Sequence, residues 1–207
     1  MLWNGAILPR LSLRLRGRTL ANAAFATGYA AIFGRSDRCT PTTTGLRWGT
    51  ALAAAVFAGY AALLSVPSTR TRLAELSTRS PEVGLVEWAG VHIPLGTVYT
   101  EELIFRGTLD PLLDKEIGTL GTWLGPATFG LWHITPARAA GDSVPTTIAA
   151  TALGGLGLSW LRRHTGSTLT PALLHLALNT GGAIAPHLAS RIHSASSHSQ
   201  SELNDPG

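Results

Sequence analysis

The chain has 207 residues, 45% hydrophobic and only 14% charged, against about 25% charged in an ordinary soluble domain. That much apolar residue with so little net charge excludes a disordered chain, and a lone cysteine, Cys39, excludes a disulfide framework and needs no redox role. The net charge of +4 comes from 16 basic residues, all arginine except Lys115, against 12 acids; the arginines are spread between apolar stretches rather than gathered into a patch, and no phosphate-cradling GxxxxGK[ST] loop is present, so no nucleic-acid partner is expected.

Residues 1–18 form a basic N-terminal segment carrying Arg10, Arg14, Arg16 and Arg18 and no acid. Followed by further apolar stretches, it reads as the flank of an uncleaved first anchor with its N-terminus in the cytoplasm. Five stretches then lack Asp, Glu, Lys and Arg altogether: 19–34, 48–69, 117–137, 143–161 and 164–190. A bilayer's hydrocarbon core takes roughly 20 helical residues to cross, so four are long enough and the first is marginal. A soluble alanine-rich bundle would show polar faces within these stretches. They are rich in Ala, Gly, Leu and Thr, which holds the mean hydropathy to +0.20 and suits close helix contact in lipid.

Spans are expected near 19–35, 48–66, 117–137, 143–161 and 168–190, with a polar loop at 67–82. Residues 83–113 are apolar but hold Glu87, Glu101, Glu102, Arg106 and Asp110, and Pro94 is expected to break or kink them into two helices. The fold class is thus all-α: a polytopic transmembrane helix bundle of about six to seven spans over 19–190, integral to the cell membrane, with a disordered serine-rich tail at 191–207. The bilayer is its expected environment; nothing in the sequence fixes an oligomeric state.

Charged groups inside such helices are costly, which makes them functional candidates. Three groups stand out. In Glu101-Glu102-Leu103-Ile104-Phe105-Arg106, Glu102 and Arg106 are four apart and can pair along one helix, while Glu101 points about 100° away. Phe129-Gly130-Leu131-Trp132-His133 ends an apolar run, with Pro136 expected to stop the helix close by. His175 and Asn179 share one helical face in a leucine-rich segment. Each group has an ordinary structural reading: a solvated surface pair, an interfacial histidine, a helix-bridging polar pair. Together they supply a carboxylate and imidazole to act as general base on water, Glu101 with His133, and donors for a developing oxyanion, His175 and Asn179. The same residues Glu101, His133 and His175 are the candidate ligands should a metal be present; zinc is possible but not favoured, and the two-histidine HExxH helix is missing. Glu87, His92 and Tyr99 are weaker candidates for lining an access path. His164, His187, His193 and His198 carry no expected role.

The order EExxxR, FxxxH, HxxxN, together with the lead-in Gly154–Ser167 and Pro171-Ala172-Leu173-Leu174-His175, resembles the CPBP family: CAAX proteases and bacteriocin-processing enzymes, also called Abi, including the Rce1-like prenyl-protein proteases. The likeness covers roughly 94–182. It implies an intramembrane endopeptidase acting on membrane-associated proteins or peptides, with catalytic Glu101, His133, His175 and Asn179, with Glu102 and Arg106 supporting the site, and without an obligatory metal. Family members often have more spans. Nothing in the sequence marks a prenylated substrate. The alternative is a non-catalytic membrane partner-binding or immunity protein of the same fold; a proton-relaying transporter would show inverted repeats, which the sequence lacks.

Overall fold

The computed structural model describes residues 2–34, 42–78 and 82–203; Cys39, Arg35, Arg38, Arg79 and Pro81 lie outside them. Every regular element among the described residues is helical. A short N-terminal helix, π-helical over Trp3–Ile7 and α-helical over Leu8–Arg10, precedes α1 (Leu15–Phe33), α2 (Thr43–Ser65) and α3 (Pro67–Glu75). Next comes α4, a continuous helical run over 85–117, followed by α5 (Gly121–Trp132), α6 (Ile134–Ala140), α7 (Val144–Thr165) and α8 (Leu169–Leu203).

The helix ends follow from local chemistry. The Thr42 hydroxyl accepts from the Gly45 N–H at 2.9 Å and caps α2. Pro67 holds Val66 extended, ending α2 and opening α3. Gly141 and Gly166 take left-handed conformations (φ +73° and +62°) to stop α6 and α7. α1 is capped from outside: its Leu15 N–H donates to Glu82, whose carboxylate also pairs with Arg14 at 3.1 Å. The Leu15 N–H first, and Arg14 second, hold the Glu82 carboxyl below the usual carboxylate range. A depressed folded-state value means that the tie stands at neutral pH and is lost as the pH falls through the carboxylate range. Relative to the intrinsic rate, hydrogen exchange at residues 15–18 is therefore expected to accelerate below about pH 4, and in Glu82→Ala, which removes the acceptor, to be fast at every pH.

Pro94 does not divide α4. The helix passes through it in a π-helical stretch, Trp88–Tyr99, and widens again over Phe105–Leu109 on either side of Thr100–Ile104. The wider turn accommodates the residue without an N–H, and hydroxyls take up the five-residue spacing: Thr100 donates to Leu95 O at 3.0 Å and Thr108 to Leu103 O at 2.9 Å. The expected break at Pro94 is replaced by one helix with two bulges flanking Glu101 and Glu102, a placement that π-bulges frequently have.

α1 runs parallel to α4, Thr19, Asn22 and Thr27 meeting His92, Gly96 and Tyr99 in the same order. α7 is parallel to α4 as well, with Gly155 at Arg106 and Arg162 at Asp114. α5 and α8 run against α4: Gly121 meets Leu113, Gly125 meets Asp110, and His175 meets Glu102. α2 lies along α8, its Gly49 under Leu173 and its Tyr60 over Gly181. At Gly130 an added methyl would lie 2.7 Å from Ile148 O, so α5 and α7 cross backbone to backbone.

α2 and α7 are each long and apolar enough to cross a membrane. They turn Trp48, Phe57, Leu63, Leu153 and Trp160 outward. α1 carries Arg16 and Arg18, and α4 both arginine and acids, within their length, which keeps them from standing out in the same way. α8 continues to Leu203, past residue 191 where the sequence reading starts a disordered tail: its serines leave the backbone ladder intact, and no proline or glycine falls between Pro186 and Pro206. Residues 204–207 lie outside the described residues.

Candidate active site

The three motifs converge. Glu101 and Glu102 come from the α-helical turn of α4 between its two bulges, His133 from the junction after α5, and His175 and Asn179 from α8. His133 sits at φ −88°, ψ 1°, between helices, in the sparsely allowed bridge region where many active-site residues lie. Pro136, two positions into α6, prevents α5 from running on, as its place in the sequence implies.

Glu101 is buried, and each of its oxygens faces one imidazole. His133 Nε2 lies 3.8 Å from Oε1 and His175 Nε2 lies 3.8 Å from Oε2. Both gaps are too long for direct hydrogen bonds and of the size a water can bridge. The tautomers follow from the far side of each ring. His133 Nδ1 is 2.8 Å from Phe129 O, which can only accept. Nδ1 therefore carries a proton, and in the neutral ring Nε2 offers a lone pair toward Glu101. His175 Nδ1 is 2.8 Å from Glu102 Oε1, a carboxylate acceptor, and is likewise the donor.

Glu102 does not face the water. It fixes His175 and sits 3.3 Å from Arg106 Nη1. Arg106 is fully buried; its Nη2 donates to Gly155 O at 3.3 Å, and its guanidinium lies 4.2 Å over the Phe129 ring. The two residues pair along one helix as the i, i+4 spacing implies. Asn179 lines the same cavity as Glu101, with its amide donating to His175 O at 3.1 Å.

That cavity, of 390 Å³, is bounded by Glu101, Trp132, His133 and Asn179 at its base, and by Thr19, His92 and Arg18 toward the basic ends of the helices. His92 bridges Thr19 (2.7 Å) and Glu87 (3.1 Å), and Glu87 pairs with Arg16. Tyr99 instead bonds Thr27 and borders a separate apolar groove of 220 Å³. His164 stacks on Trp160 away from the site.

Two features escape a motif-by-motif reading. Trp132 Nε1 donates to Glu101 Oε1 at 3.2 Å. Asp110 is fully buried 3.7 Å from Arg162, and Asp114 binds both Arg162 and Arg163. The second is visible in the sequence as well: Glu102, Arg106, Asp110 and Asp114 recur every four residues, a stripe of charged residues down one side of α4. Glu101, His133 and His175 are the residues able to approach a metal together, and Glu102 behind His175 resembles the carboxylate support of a metal ligand. Among the described residues, however, no three such groups stand close enough to hold one in this arrangement.

A carboxylate between two imidazoles at the base of a cavity in a helical bundle is an arrangement able to act as a general base on water. The family model described as type II CAAX prenyl endopeptidase Rce1-like matches residues 84–181, the segment that holds all three motifs, which supports the CPBP/Rce1-like resemblance. No curated protein and no solved structure matches the chain.

Proposed function

We propose that the protein is a multi-pass intramembrane endopeptidase that hydrolyses peptide bonds of membrane-associated proteins or peptides. The observation that carries this reading is Glu101, with an imidazole Nε2 at 3.8 Å from each of its oxygens, at the base of the cavity. A water there donates one hydrogen to Glu101 and one to His133 Nε2, both acceptors, so its oxygen is turned toward a scissile carbonyl. As it attacks, its proton passes to Glu101. The oxyanion that forms is met by His175 through a protonated Nε2 and by Asn179 once its amide leaves His175 O. Collapse breaks the C–N bond and Glu101 returns the proton to the leaving amine. No step in this scheme draws on a metal.

The alternating helix directions support six passes, by α1, α2, α4, the stretch 118–140 that holds α5 and α6, α7 and α8. Arg10, Arg14, Arg16, Arg18, Arg70, Arg72, Arg138 and Arg191 then fall on the side where the cavity opens, which by the positive-inside rule is the cytoplasmic one. Substrates enter from that face.

Purified wild type, Glu101→Ala and His175→Ala, assayed on a membrane-embedded peptide library with and without chelator, test the proposal. Wild type is expected to cleave, both variants to fall by at least about a thousandfold, and chelator to change nothing. Loss of activity in chelator, restored by zinc, would replace the metal-free scheme. A folded wild type that cleaves nothing would leave a partner-binding protein of the same fold.

A further inference from the structure

We propose that Asn4 and Trp132 are positioning residues for the general base, so that the N-terminal helix, outside the segment matched to the family, is a working part of the active site. This rests on the hydrolytic reading above. Trp132 is the last residue of α5. In a continuing helix its carbonyl would accept from the N–H four residues on, but that residue is Pro136, which has none. The carbonyl would be left unpaired in the interior at a cost comparable to a lost hydrogen bond. Asn4 fills the vacancy: its Nδ2 donates to Trp132 O at 2.9 Å, across 128 residues of sequence, and its side chain is buried.

The indole on the same residue has a single donor and no acceptor, and that donor is spent on Glu101 Oε1. The ring is held edge-on to Phe105 with centroids 5.6 Å apart. Asn4 is itself anchored by its neighbour. Trp3 stacks on Phe25 at 4.3 Å and 3° and donates to Asn22, which in turn donates to Gly96 O on α4, one turn and a half before Glu101. One end of the N-terminal helix is thus tied to the base through α5 and the other tie runs through α1 to the helix that carries the base. Asn4 fixes the end of α5, and with it both the indole on Glu101 and the next residue, His133.

The test compares wild type with Trp132→Phe, which keeps an aromatic ring and removes the donor, with Asn4→Asp, which keeps the shape and removes the donor, and with Asn4→Gln, which keeps an amide. The readouts are kcat, KM and thermal unfolding of the full chain on a peptide that wild type cleaves. Trp132→Phe is expected to lower kcat about ten- to hundredfold with KM within about twofold and unfolding unchanged, since a hydrogen bond to a charged group is at stake; Asn4→Asp, which leaves Trp132 O unpaired beside a carboxylate, is expected to lower kcat as far and the unfolding temperature with it. Asn4→Gln is expected to recover a substantial part of kcat. Wild-type kcat in Trp132→Phe overturns the inference while leaving the peptidase reading in place. So does a loss in Trp132→Phe in which KM and unfolding temperature move with kcat, or an Asn4→Gln as impaired as Asn4→Asp. A wild type that cleaves nothing overturns the peptidase reading, and the inference with it.

Discussion

Arg106→Ala is expected to destabilise the bundle by about 3–5 kcal/mol, a fall on the order of 10 °C in unfolding temperature, and to abolish any activity with it. Arg106 has no exposed surface, and Glu102 beside it is 5% exposed. Taking two charges out of water is expensive, and the attraction between them offsets that cost only while both are present. With the guanidinium gone, Glu102 keeps the His175 Nδ1–H but loses its cation, Gly155 O loses its donor, and Phe129 loses the flat group packed on its ring. Lysine does not substitute: a compact ammonium cannot stack on the ring while reaching both Glu102 and Gly155. The double variant Arg106→Met with Glu102→Gln is expected to regain a large part of the lost stability, because no unpaired charge is left behind, yet not the activity, because His175 is no longer oriented by a carboxylate. Thermal unfolding of the four proteins in one detergent checks this. If Arg106→Ala unfolds like wild type, the pair is not what holds α4 against α7 and α8.

How much of this was legible in the sequence differs by residue. The three motifs could be read as one constellation because helical spacing is local: i, i+4 fixes which residues share a face whatever the tertiary packing. That is why Glu102–Arg106 and the outward turn of Glu101 relative to them reappear in three dimensions. Pro94 was misleading for a local reason too. Its missing N–H predicts an interruption, but the helix widens into a π-helical stretch around it and runs on, and hydropathy does not record that accommodation. Asn4 is a different case. It lies in a segment whose arginines dominate the sequence pattern, and nothing nearby shows that its amide will serve a carbonyl 128 positions away. The one legible half of that contact is Pro136, which announces that some carbonyl a turn earlier needs a partner from elsewhere. Asn179 marks the limit from the other side: the sequence places it on the His175 face, and it does line the cavity, but its amide is engaged with its own helix.

Glu101→Gln is expected to abolish hydrolysis, by at least about a thousandfold in kcat, and to raise stability by about 1 kcal/mol rather than lower it. The two effects have one cause. Glu101 Oε2 is buried without a hydrogen-bond partner among the described residues, and the nearest imidazole nitrogens stop at 3.8 Å. A buried carboxylate so poorly paired costs the fold stability. Its retention makes sense only if a water, and later a substrate, completes it. Glutamine has nearly the same shape; its carbonyl can still accept from Trp132 Nε1, so the cavity wall stays in place while the group can no longer take a proton. The contrast with Glu102 is the sharper test. Both residues are buried carboxylates one position apart, yet Glu102 is paired to His175 and Arg106 and Glu101 to neither at bonding distance. Glu102→Gln should therefore lower the unfolding temperature where Glu101→Gln raises it by a few degrees. If both variants shift stability in the same direction, Glu101 is a structural carboxylate and not a base waiting for its water.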